Sequence, residues 1–390
     1  MKKERIVFIS AIIISIIYII IANRIALKNN KFFKDALKLE YPRAKITRVV
    51  DKKVTPFQID GLTDQYNIDI IFEARMLSGK DKGTSVIATQ NISTYITGTI
   101  EEVKEGDVVL IYNGTTNDGT GTNWYFVEYS RTTAIIVLGA IFLGLILLFG
   151  KFKGVKTIIA LVTTCLAIFV AYIPAILGGQ NIYVWTIITC AFITFSTVLI
   201  VYGYSKKTIS TALGCIGGVL VAGLLTLIMN GLLKLTGFVD ENAIYLYQLN
   251  ENIDLKAIIF GGILIGAIGA IMDVSIDISS SLFEVADKME KPDFKTIMKS
   301  GFNIGKDIMG TMTNTLILAY IGSSLSEVLL LTASNNSLSR VMNLEMIVVE
   351  MLQALVGSIG LLTTIPLTSL ACAVLYHQQE KQTIAYNAKK

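Results

Sequence analysis

Residues Gly261–Ser281 read GGILIGAIGAIMDVSIDISSS. The stretch opens as a glycine-rich apolar helix and then carries Asp273 and Asp277. Four residues is about one helical turn, so the two carboxylates share a face. An ionisable group at membrane depth is expensive, and it usually faces a protein interior or a water-filled path. The pattern predicts a polytopic membrane protein with a polar site inside the membrane.

The composition agrees. Of 390 residues, 53% are hydrophobic and 16% charged, with a mean hydropathy of +0.60. That balance belongs to membrane proteins. The net charge of +4 is small, and its Lys and Arg fall in short loops. It therefore reports topology, and no nucleic-acid partner is expected. Cys165, Cys190, Cys215 and Cys372 lie in apolar segments without a CxxC pair, which argues against a disulfide framework or a cysteine metal site. His377 stands alone after the last apolar segment. No P-loop, HExxH or GxSxG occurs, so neither enzyme activity nor a cofactor is expected.

Working outward, the chain begins MKKERIVFISAIIISIIYIIIANR, a basic flank followed by an apolar run over Ile6–Ala22. The run is longer than a signal-peptide core and ends at Asn23-Arg24, which predicts an uncleaved anchor over residues 1–25. Residues 26–131 alternate polar and β-forming residues. ITRVV, YNIDIIFEARML, TSVIATQ, DVVLIYN and NWYFVEY each read as a strand, separated by SGKDKG, KEGD and NGTTNDGTGTN turns. Such strands predict a small barrel or sandwich, OB-like in size. Trp124, Tyr125, Phe126 and Tyr129 precede the next apolar run, where aromatics mark a lipid interface.

A membrane domain of seven helices is predicted over 132–376, with a tail at 377–390. Its apolar segments run Thr133–Phe149, Val155–Leu177, Ile182–Tyr202, Thr208–Leu233, Leu255–Phe283, Asp307–Thr332 and Leu344–Tyr376. Most approach the roughly 20 residues needed to cross the hydrocarbon. Lys151, Lys153 and Lys156, then Lys206 and Lys207, then Lys288, Lys291, Lys295, Lys299 and Lys306 fall in loops on one side. Lys381, Lys389 and Lys390 join them in the tail, while GGQN, an acidic linker with Asp240, Glu241, Glu251 and Asp254, and ASNNSLSR fall on the other. The positive-inside rule then places both termini in the cytoplasm and the β-domain outside a plasma membrane. The expected fold is thus an α-helical polytopic membrane protein of about eight transmembrane helices. An extracytoplasmic β-barrel sits between the first two. In the last segment, Ala354–Val374 crosses alone if Leu344–Gln353 forms an interfacial turn, and Pro174 and Pro366 are candidate kinks.

At about 1.5 Å per residue, Asp273 falls in the inner part of the membrane and Asp277 near its inner boundary. Asp307 opens the next apolar segment, with Thr311 and Asn314 on one helical stripe behind it. Thr313, Thr315, Ser275 and Ser279 add hydroxyls. Carboxylates, an amide and hydroxyls at one level suit a hard cation or protons. The alternatives are structural. Asp307 is then an acidic first turn, Asp277 a headgroup anchor, and Asn314 and the hydroxyls glue between helices. Asp273, deeper and flanked by Ile271, Met272 and Val274, is the strongest functional candidate. Glu350 and Gln353 form a second pair, with Gly357, Gly360 and Thr364 near their face. Gly262, Gly266 and Gly269, and likewise Gly214, Gly218 and Gly223, are expected to let helices pack closely.

Three runs carry a family resemblance: GAIGAIMDVSIDISSSLFE, GKDIMGTMTNTLILAYIG at Gly305–Gly322 and GSIGLLTTIPLTS at Gly357–Ser369. With RMLSGKDKG and VKEGDVVLIY in the β-domain, they resemble the YibE/F family of bacterial multipass membrane proteins. Asp273, Asp307, Thr311 and Asn314 lie inside the matching runs, whereas Asp277 stands where a smaller or neutral residue is expected. The resemblance implies a multipass fold and, by common reading, transport.

The leading expectation is a transporter or permease, cation- or proton-coupled, working on a small ion or solute in the lipid bilayer. A second is a non-transporting scaffold that binds an envelope protein through residues 31–131. A third is an intramembrane aspartyl protease using Asp273 and Asp307, although the GxGD motif of that class is absent and Asp307 stands in GKDIMG.

Overall fold

The computed structural model describes residues 2–27, 41–57, 65–93, 101–115, 122–289, 293–333 and 337–387. The tip of the predicted 113–123 turn, the centre of the ASNNSLSR loop, Lys291, Lys389 and Lys390 lie outside these residues. The chain divides into two compact units, 33–145 and the pair of segments 1–32 and 146–390.

The smaller unit is built on β1 (Arg43–Phe57), β2 (Gln65–Met76), β3 (Ser85–Ser93), β4 (Val108–Thr115) and β5 (Thr122–Tyr129). They close into a barrel in the order β1-β2-β3-β5-β4, with β3 and β5 parallel and the other pairs antiparallel. All five expected strands are present. Alternation explains the closure: Ile70, Phe72, Ala74 and Met76 of β2 point inward at every second residue and meet Ile46, Ala88, Val109 and Ile111. Among the described residues of this unit, one buried side chain is polar. Gln90 on β3 donates to the Glu101 carbonyl at 3.2 Å and accepts the Val103 amide at 2.9 Å, fixing an irregular segment to the barrel. Tyr129 donates to the same Glu101 carbonyl at 2.7 Å, and burial raises its phenol pKa.

The larger unit is helical. In chain order its elements are α1 (Lys2–Leu27), α2 (Thr132–Leu166, whose first part falls in the other unit), a π-turn at Ala167–Tyr172, α3 (Ile173–Leu177), α4 (Ile182–Tyr202) and α5 (Lys206–Leu232). They are followed by α6 (Glu241–Leu249), α7 (Leu255–Lys288), α8 (Phe294–Ser323), α9 (Leu325–Ala333), α10 (Leu338–Val341) and α11 (Glu345–Asn387). Among the described residues, six helical stretches are long and apolar enough to cross a membrane: Arg5–Leu27, Thr132–Leu177, Ile182–Tyr202, Lys206–Leu232, Leu255–Lys288 and Glu345–Tyr376. Seven of the expected spans fall within them, because Thr132–Leu177 breaks at Lys151 (φ 47°, ψ −125°). The π-turn just ahead of Pro174 accommodates the missing N–H and the ring.

Caps set the starts. Asn181, Ser205, Asp254 and Asp293 each accept a backbone amide three residues on, at the heads of α4, α5, α7 and α8. Two expectations are corrected here. Asp307 does not open a helix, since α8 starts at Phe294 behind the Asp293 cap and runs on to Ser323, where it breaks before α9. Residues 345–353 are no interfacial turn either. With no Gly or Pro to stop it, α11 is helical from Glu345 onward and continues through Pro366.

Close helix contact holds the unit together. Gly214 abuts Thr368 and Gly218 abuts Thr364, while Gly360 faces Ala222 and Ile271, so α5, α7 and α11 meet at glycines. A side chain at Gly218 would also meet the Gly360 carbonyl at 2.9 Å, whereas one at Gly262 would meet nothing within 4 Å. Gly218→Leu is therefore expected to destabilise the purified protein by about 1–3 kcal/mol in thermal unfolding. Gly262→Ala should leave the transition unchanged or raise it.

Candidate functional site

The site is organised by which side of α7 is covered. Its inner side is sealed against α5 and α11: the Ser275 hydroxyl donates to the Thr211 carbonyl at 2.8 Å and bonds the Thr368 hydroxyl at 2.9 Å. Ser279 bonds the Thr211 hydroxyl. Both serines are fully buried and serve as glue between helices. They do not line the site.

The other side is open. Gly262, Gly266, Gly269, Asp273 and Asp277 are all exposed and recur at four- and three-residue intervals, one continuous helical stripe. Gly262 and Gly269 have nothing within 4 Å of a would-be Cβ, so these glycines do not pack against the chain as expected. Only Gly266 is approached, by the Tyr320 hydroxyl, 2.6 Å from where a Cβ would stand. At the aspartate end, both carboxylates act electrostatically on Tyr202 of α4, and Asp277 also acts on Lys207 of α5.

Tyr320 leads to the second candidate pair. Its hydroxyl is buried, with the Glu350 carboxylate of α11 within electrostatic reach. Among the described residues, Glu350 Oε2 and Tyr320 Oη are buried without hydrogen-bond partners, as are Thr313 Oγ1 and Ser358 Oγ. Such atoms are rare, and each calls for an account. Gln353 lies half-buried one turn on. Gly357 packs against Leu316 and Ala267, and Thr364 donates to the Gly360 carbonyl at 2.9 Å, so those two are structural.

Asp307, Thr311 and Asn314 do not join this group. The buried positions of α8 are Ile297, Gly301, Gly305 and Leu316. Asp307, Thr311 and Asn314 are exposed on the remaining arc, and the Thr311 hydroxyl bonds only its own helix at Ile308, 3.0 Å. No three carboxylate, His or Cys groups come close enough to hold a metal among the described residues. The seven candidates thus divide into three: Asp273 and Asp277 on the open stripe, Glu350 and Gln353 beside Tyr320, and Asp307, Thr311 and Asn314 on α8.

One contact was not anticipated. The Glu345 carboxylate accepts the amides of Thr236 and Gly237 at 2.7 and 2.6 Å and the Thr236 hydroxyl at 2.7 Å. It ties the head of α11, and so Glu350, to the turn after α5. The turn needs Gly237, which has φ +94° and no room for a side chain beside Leu255. The pairing joins residues more than a hundred positions apart, beyond any local signal.

These features define a multi-helix membrane protein carrying a small β-barrel. The family model described as YibE/F-like protein matches residues 138–378, and the chain belongs to the YibE/F family. The match runs from within α2 into α11 and leaves α1 and the barrel outside. No curated protein and no solved structure is detectably similar to the chain.

Removing the tie by Glu345→Ala strands two amides and a hydroxyl, and should lower stability by about 1.5–3 kcal/mol in thermal unfolding. Glu345→Asp, too short to reach all three donors, should fall between Ala and wild type.

Proposed function

We propose that the chain is a multipass permease, coupled to protons or to a small hard cation, with α7 carrying the coupling carboxylates. The observation behind this is the uncovered stripe in which three glycines lead to Asp273 and Asp277 on one face of an apolar helix. A carboxylate at that depth belongs beside water or a transported ion. Bare glycine backbone beside it lets an ion or a water file come close. Some 10 Å along the stripe from Asp273, Tyr320 closes over Gly266 with Glu350 beside it. The track then has an acidic group towards each end, and oxygen ligands of this kind suit protons and hard cations.

The basic loops support a cytoplasmic position for both termini, with the barrel, OB-like in its five strands, outside. There it would meet solutes or envelope proteins before they reach the helices. The aspartyl protease is the weaker reading, because a dyad requires two carboxyls close enough to share a proton. Asp273 and Asp307 stand on separate stripes of separate helices.

Proteoliposomes under an imposed pH, Na⁺ or K⁺ gradient test the proposal. Wild-type protein should carry one of these ions, and Asp273→Asn or Glu350→Gln should slow the flux by about tenfold or more. No flux under any gradient, or flux indifferent to both substitutions, would remove transport from consideration.

A further inference from the structure

Between Asn303 and Asn314 the uncovered arc of α8 carries a polar line where lipid would demand the opposite. This helix runs antiparallel to α11, with Gly301 against Ser369, Gly305 against Ile365, and Leu316 and Tyr320 against Gly357. About 30 Å of α8 therefore accompanies α11 through its apolar stretch Glu345–Tyr376. Yet α8 is not among the helices apolar enough to cross by themselves. Its buried positions, Ile297, Gly301, Gly305 and Leu316, face the bundle, while Phe302 and Met309 are exposed to one side of the polar line and Leu318 and Ile321 are exposed beyond its C-terminal end. Away from the buried positions stand Asn303, Lys306, Asp307, Gly310 and Asn314, all exposed, and a Cβ on Gly310 would meet nothing within 4 Å. Among the described residues, no hydrogen bond or ion pair engages these four polar side chains. Amides and charges at span depth need partners that lipid does not provide.

Their arrangement selects the partner. At 3.6 residues per turn, Asn303, Gly310 and Asn314 fall within about 20° of a single line, with Lys306 about 60° to one side and Asp307 about 40° to the other. Opposite charges flanking a centre line at one level make the face complementary to itself. Two parallel copies of α8, related by a twofold axis along the membrane normal, bring Lys306 of each copy to Asp307 of the other. This is the reciprocal pairing that an isologous interface requires. On the line itself, Asn303 and Asn314 meet their counterparts, and an amide both donates and accepts. Gly310 between them permits close approach. We propose that this face of α8 is the interface of a homodimer. It is independent of any transport activity.

Charge reversal tests it in the full-length protein. Light scattering in mild detergent should give a dimer for wild type and a monomer for Lys306→Asp and for Asp307→Lys, each of which sets like charges face to face. The double reversal, Lys306→Asp with Asp307→Lys, should restore the dimer. Co-expressing the two single variants under different tags should give tag-crossed dimers, since each copy then supplies the charge the other lacks. In native membranes, Gly310→Cys in a Cys165→Ser background should crosslink to twice the chain mass on oxidation. A chain that neither dimerises in detergent nor crosslinks in membranes overturns the proposal. So does a dimer indifferent to the single reversals, failure of co-expression to rescue, or a Gly310→Cys adduct with a different protein.

Discussion

The helical unit depends on the close approach of α5, α7 and α11 at Gly214, Gly218 and Gly360. In lipid there is little hydrophobic force between helices, so contact at small residues and hydrogen bonds between hydroxyls do the holding. Here the two coincide: Ser275, Ser279, Thr211 and Thr368 bond one another where the backbones are nearest. The seam fixes the rotation of α7 about its axis. With Ser275 and Ser279 turned inward, the 3.6-residue period leaves Gly262, Gly266, Gly269, Asp273 and Asp277 on the exposed side, which Tyr320 approaches at Gly266.

That rotation separates the structural polar groups from the functional candidates. The buried hydroxyls of Ser275, Ser279, Thr211 and Thr368 have partners and hold α5, α7 and α11 together. The carboxylates of α7 have none among the described residues, and Glu350 and Tyr320 present unpartnered atoms beside the same stripe. A fully satisfied network stabilises, whereas an unsatisfied one at membrane depth is retained at a cost in stability and points to use. The Glu345 tie adds a second constraint, holding the head of α11 so that Glu350 stays near Tyr320.

Much of this was legible in the residues alone. The five strands followed from alternation and turn residues, and most apolar helices from run length, because both signals are local. Asp273 and Asp277 were rightly placed on one face, since a single helix sets its own period. What escaped were relations between helices. The lysine-rich stretch before Asp307 read as a loop because charge there outweighed the Asp293 cap. Which arc of α8 meets the bundle depends on Ile365 and Ser369 of α11, more than fifty residues on. For the same reason the choice between ligand and glue for Ser275 and Ser279 stayed open, and the glycines of α7 looked like packing residues, until the neighbours were in place.

Water along the α7 stripe is the most direct measure of this account. Single cysteines placed along residues 262–278, in a Cys165→Ser background, can be challenged in native membranes with a small charged thiol reagent. Modification at positions 262, 266, 269, 273 and 277, with protection at Ile263, Ile271 and Ile278, is the predicted pattern. Uniform protection, or labelling that ignores the helical period, would contradict it.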